Sequence, residues 1–238
     1  MKPSATAFGV FADKLLVHTG AMRLAELFRS VLQRVLCLCR GIGWTAAKSA
    51  LALLVAGTAF GQETPAKPWN AGAYSFSDEL GGFRIVGISG AGTREDPIVI
   101  QEEMNSATPV TMVIRTVRPI RPFDYSGLYA NGFLKVRIEV LNNSKLPWIE
   151  FEFELQEQLG KASVFGDGLS FDQRRTDSGN ISSESFSEYS RAFEPYDRLL
   201  FREGKVDHLD SASFRFMITD FTPRWEFFLV QDPRIPSS

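Results

Sequence analysis

From Phe133 to Leu155 the chain alternates between apolar and polar residues. Leu134, Val136, Ile138 and Val140 are interleaved with Lys135, Arg137 and Glu139, and Ile149, Phe151, Phe153 and Leu155 with Glu150, Glu152 and Glu154. A period of two puts the apolar groups on one face of an extended chain and the charges on the other. The turn-forming run Asn142-Asn143-Ser144-Lys145 between the two stretches predicts an antiparallel hairpin. Its facing residues should have numbers that sum to 287, which pairs Arg137 with Glu150 and Lys135 with Glu152 and avoids opposing like charges. Further short strands are predicted at 74–76, 83–88, 98–102, 110–117, 198–201, 213–219 and 225–230, separated by clusters of Gly, Pro, Asp and Asn. Short strands without crossover helices predict an all-β fold, an antiparallel two-sheet sandwich. Phe83, Phe133, Phe151, Phe153, Phe214, Phe216, Phe227 and Phe228 are the expected aromatic filling between the sheets.

The N-terminal residues 1–61 follow a different pattern. Leu24, Leu27, Phe28, Val31, Leu32, Val35 and Leu36 recur at helical spacing, and a twelve-residue run from Ser49 to Phe60 is too short to span a bilayer. Arg40 and Lys48 flank the run, and Ala59-Phe60-Gly61 closes it in a small-x-small pattern, as in a secretory signal cleaved before Gln62. The run lies far from Met1. This fits a long basic leader, a true start further along the chain, or a retained amphipathic helix at 23–40; a removed targeting segment is the expectation. Residues 62–72, with two prolines, read as a flexible leader to a single domain at 73–238.

Charge and cysteine usage narrow the function classes. Residues 1–61 carry seven Lys/Arg and two acids, leaving 19 basic and 26 acidic groups in the remainder. An acidic body argues against nucleic acid as a partner. Cys37 and Cys39 both fall in the leader, so the body has no thiol chemistry and no disulfide, and His208 is its single histidine. No Gly-x-Ser-x-Gly pattern accompanies that histidine. Neither a metal nor a cofactor is expected.

The strand rhythm breaks at 156–197, read as a long loop rich in Ser and Asp with scattered aromatics. It holds the candidate binding residues. Tyr189 and Tyr196 are expected to face solvent and offer rings and hydroxyls to a ligand. Asp167 and Arg174 supply charge beside them, while Phe165 and Phe171 anchor the loop. Gly166-Asp167-Gly168 reads as a tight turn, since the donors of a calcium loop do not follow it. Glu150, Glu152 and Glu154 would suit a glycosidase acid/base pair only if two of them leaned into one cleft, about 5–10 Å apart.

The body resembles uncharacterised exported bacterial proteins with an immunoglobulin-like β-sandwich. The resemblance rests on Val140-Leu141-Asn142-Asn143, Trp148 leading into Phe151, the Gly166–Phe171 turn, Asp197-Arg198, Phe214 to Asp220, and Phe228 to Pro233, and spans roughly 73–236. It implies an immunoglobulin-like fold and a periplasmic or secreted address, and brings no catalytic residues with it. The expected role is non-enzymatic binding or structural work in the cell envelope, with a protein or carbohydrate ligand. The alternative is a carboxylate-based glycan hydrolase. Contact with a membrane is expected only through the N-terminal segment before cleavage.

Overall fold

The alternating residues fold as strands, with their apolar sides buried between two sheets. In this computed structural model the described residues are 68–172, 180–192 and 196–236, and they belong to one compact unit, Glu63–Ser238. The leader, the cleavage site before Gln62, both cysteines and Arg174 lie outside the described residues.

One sheet has seven strands in the order β1-β2-β5-β13-β7-β11-β10: Trp69–Ala71, Tyr74–Ser77, Val110–Thr116, Glu226–Arg234, Glu150–Gln156, Arg198–Gly204 and Phe186–Ala192. The other has the order β3-β4-β6-β12-β8: Phe83–Ser89, Ile98–Met104, Phe133–Asn142, Ser211–Asp220 and Leu169–Phe171. Its short strand β9, Ser182–Ser183, pairs with β12 off this path. All pairings are antiparallel except β4 with β6. The described residues thus form an all-β sandwich, with a 3-10 turn at Phe165–Asp167 and no α-helix among them.

Facing side chains of the two sheets interlock as the alternation requires. Phe151 and Phe153 of β7 meet Phe214 and Phe216 of β12 at ring-centroid distances of 4.6 to 5.1 Å. Phe201, Phe171 and Phe186 extend the cluster. Truncating one of these fully buried rings to Ala costs about 3–5 kcal/mol.

The predicted hairpin does not form. β6 lies between β4 and β12 in one sheet, and β7 between β13 and β11 in the other. The connection is an inter-sheet corner organised by Asn142, which is fully buried. Its amide donates to the carbonyls of Leu146 and Val206, and its Oδ1 accepts from the amide and hydroxyl of Ser144. The expected ion pairs are absent accordingly. Glu150 and Glu152 pair with Arg234, and Glu154 with Arg198. Trp148 precedes β7, buried, with its indole N–H on Ser144. Ile149 is exposed rather than inward.

The segment 156–197 is not one long loop. It contributes β8, β9 and β10, and β10 forms an edge of the seven-stranded sheet against β11. Phe186 is buried and Tyr189 packs against the core, although they stand three residues apart. Opposite them Glu203 takes φ 55, a local break in the ladder that accompanies this loss of alternation.

Candidate functional site

Three connections meet at one end of the sandwich: the β1–β2 turn, the β3–β4 turn and the longer β5–β6 connection, residues 117–132. Between them lies a cavity of about 640 Å³. Tyr125, Tyr129 and Phe133 stand on its wall with Arg94, Arg118 and Lys135, and Glu95 is the one carboxylate there. Tyr74 contributes a buried edge, and burial pushes its hydroxyl up to about 12.

Local hydrogen bonding fixes both loops. In the β3–β4 turn the amides of Ala91, Gly92 and Thr93 all donate to the Asp96 carbonyl, and the Asp96 amide donates to Thr93 Oγ1. Gly92 takes φ 84 there, a left-handed conformation that favours glycine, and its carbonyl accepts from the Lys135 amide of β6. Arg94 is thus carried on a braced turn.

In residues 117–132, Arg118 donates to the Gly127 carbonyl, and Ile120 bridges to the buried Ala130. The Asp124 carboxylate accepts from the Ser126 hydroxyl and amide, which hold it below its ordinary range. Phe123, at φ 62, is pinned against Phe133 and Phe221 at 5.7 and 5.9 Å. At the base Gly132 takes φ 80, and a Cβ on it would come within 2.0 Å of the Asp220 carbonyl oxygen. No larger residue fits the close approach of this loop to β12.

The loop holds its apolar groups outward. Tyr125 is 69% exposed, Leu128 67% and the neighbouring Trp225 62%. Tyr125 stacks on Phe133 with ring centroids 5.9 Å apart, so one aromatic face is supported and the other is open. Among the described residues, neither Arg94 nor Arg118 has a carboxylate within ion-pair distance. Arg121 pairs with Asp124 at 3.5 Å and lies over the Tyr129 ring at 5.2 Å.

A second cleft of about 360 Å³ continues from the cavity along the outer face of the six-stranded sheet, sharing Arg94 and Lys135 with it. Arg137 of β6 and Arg215 of β12 line it and are directly opposed in the strand register. Like charges in that position repel. They are bridged by one exposed carboxylate, Glu184, at 3.6 Å from Arg137 and 2.9 Å from Arg215. Beyond Arg137 the face turns acidic, with a groove of about 460 Å³ that includes Glu103, Glu139 and Glu184. Each of these three is ion-paired to an arginine: Arg84, Arg137, and Arg137 with Arg215.

The residues singled out from the sequence lie elsewhere. Asp167 is committed to its own turn: its carboxylate accepts from the Ser163 hydroxyl and from the amides of Val164 and Leu169. The tight-turn reading of that stretch holds, with Gly168 at φ 88. Tyr189 is half-buried against Phe201, a correction to its expected solvent-facing role; it lies on a strand that closes over the core. Tyr196 is exposed, with the Arg198 guanidinium 5.2 Å above its ring. Phe171 is fully buried, as expected of an anchor. The side chain of Phe165, like Arg174, is outside the described residues.

Glu150, Glu152 and Glu154 share an outer face of the sandwich and are engaged by Arg198 and Arg234. The end cavity was missed in the sequence because 117–132 read as turn chemistry alone. Its signal was the density of Phe123, Tyr125, Leu128 and Tyr129 beside two Arg-Pro pairs, Arg118-Pro119 and Arg121-Pro122. No protein-family model matches this chain, and no curated protein matches it either.

Proposed function

We propose that this chain is an exported, non-enzymatic binding protein of the bacterial cell envelope, an immunoglobulin-like sandwich whose ligand occupies the end cavity. The reading rests on the make-up of the cavity wall. Four aromatic rings and three cations line it with one carboxylate, in a body whose charge balance is otherwise acidic. A concave site with apolar rings and a few convergent charges is how proteins hold small ligands. The matching ligand has a flat, weakly polar ring face and a negative group, as in an acidic sugar. Tyr125 offers the open ring face, and Arg118 and Arg94 offer charge without competing carboxylates.

Titration of the full chain with glucuronate, followed by amide NMR, tests the site. We expect shifts confined to residues 91–96 and 117–132, with glucose giving none. Tyr125→Ala should weaken the response without altering the fold, because the ring is mostly outside the core. An unchanged response in Tyr125→Ala, or none in the parent chain, overturns the proposal. The address rests on the apolar run ending at Ala59-Phe60-Gly61 and on the cysteine-free body. Mass spectrometry of the exported protein should find Gln62 at its N-terminus; residues 1–61 intact on that protein would count against it.

A further inference from the structure

We infer that the ligand is a uronic-acid oligosaccharide, seated by one ring in the end cavity and running on into the cleft between Arg137 and Arg215. This rests on the cavity being the binding site, and extends it from a single ring to a chain.

The first support is continuity. Cavity and cleft share Arg94 and Lys135, so a ligand leaving the cavity past Lys135 enters the cleft. The second is the placement of charge. Lys135 and Arg137 are two residues apart on one strand face, roughly 7 Å, and Arg215 lies one strand over from Arg137, roughly 5 Å. A polymer with one carboxylate per ring meets a cation at each of these steps. An isolated anion would use only one of them.

The third support is a broken local rule. Arginines directly opposed across a ladder are unfavourable, and among the described residues Glu184, 62% exposed, is the carboxylate that bridges them. Arg137 is held besides by Glu139, whose carboxylate lies 2.9 Å from its Nε. Such departures from local consistency are expected where a site is kept for a ligand. The run of cations also has an end. Past Arg137 the groove is lined by Glu103 and Glu139, both already ion-paired, and by no cation other than Arg137, so a longer anionic chain finds no further partner there. The structure therefore points to a short segment or chain terminus. Aromatic support from Tyr125 and Phe133 at the cavity end favours sugar rings over a peptide, whose acidic side chains have no flat face to stack.

Calorimetry on the full chain compares galacturonate, its trisaccharide, a neutral galactose trisaccharide and a triglutamate peptide. The acidic trisaccharide should bind about tenfold more tightly than the monosaccharide, the second contact being intramolecular. Arg215→Gln should abolish that gain and leave monosaccharide binding unchanged, while Tyr125→Ala should weaken both. Equal affinity for monomer and trimer overturns the extension and leaves the cavity reading intact. Triglutamate binding as tightly as the trisaccharide overturns the choice of ligand class. Failure of every probe would sink the inference together with the site on which it rests. Should Arg215→Gln alter the fold, Ser182→Glu on the same cleft wall supplies the second variant. It should depress trisaccharide but not monosaccharide affinity, and equal losses would count against the extension.

Discussion

Glu102 is an acid in the middle of an apolar interior. It projects inward from β4, almost fully buried, and its Oε2 accepts from the Gln231 amide of β13 across the gap between the sheets. The remaining oxygens of both residues, Glu102 Oε1 and Gln231 Oε1, lack hydrogen-bond partners among the described residues. A protonated Glu102 would suit this pairing, because its hydroxyl is a donor where a carboxylate has none. Burial pushes Glu102 from its ordinary 4.5 up to about 8, against the lowering effect of the Gln231 bond. The folded state therefore keeps a proton that the unfolded chain releases. Stability from this group is complete below 4.5 and is lost as the pH rises to about 8. Burial likewise raises Asp197 and Asp220, each to about 6, so they add a fall that ends near that pH. Melting temperature should then decline steadily from mildly acidic to mildly alkaline solution. Glu102→Gln should flatten the profile above about pH 6, where Asp197 and Asp220 have titrated, and raise the melting point at pH 8, since an amide donates without a charge. A decline of the same size in Glu102→Gln would show that other groups cause it.

At the scale of elements, periodicity was the legible part of the sequence. Leu134, Val136, Ile138 and Val140 face inward as their alternation requires, and so do Phe151, Phe153 and Leu155. Pairing was not legible. Alternation decides which face of a strand is buried and says nothing of which strand lies beside it. Asn142 to Pro147 carries residues that serve a hairpin and an inter-sheet corner equally well, and the corner is chosen by contacts with Val206, sixty-four residues away. β10 was hidden for a related reason. As an edge strand it has a polar sequence, and the two side chains it sets against the core, Phe186 and Tyr189, stand three residues apart rather than two. The end cavity is assembled from turns distant in sequence, so no single stretch carries its full signature. The cleft depends on Arg137 meeting Arg215, a register no local pattern encodes.

For the whole molecule, connectivity and pairing run on different maps. The hairpins β1–β2, β3–β4 and β10–β11 join neighbours, while most other connections carry the chain from one sheet to the other. Non-local pairing of this kind makes folding slow relative to helical proteins of similar size. It also means that the tip of the 117–132 loop, near Gly127, divides the strands in an interleaved way. β4 on the N-terminal side is paired with β6 on the other, and β5 with β13. Each piece holds strands of both sheets, and the seam between them runs along the β4–β6 and β5–β13 pairings, through largely aliphatic core. A chain cut once at that tip should travel as a single particle in gel filtration and separate only in denaturant; two peaks in native buffer would contradict this. The sandwich is, in effect, a pair of complementary half-proteins that happen to be covalently joined, and the join lies in the loop that shapes the end cavity.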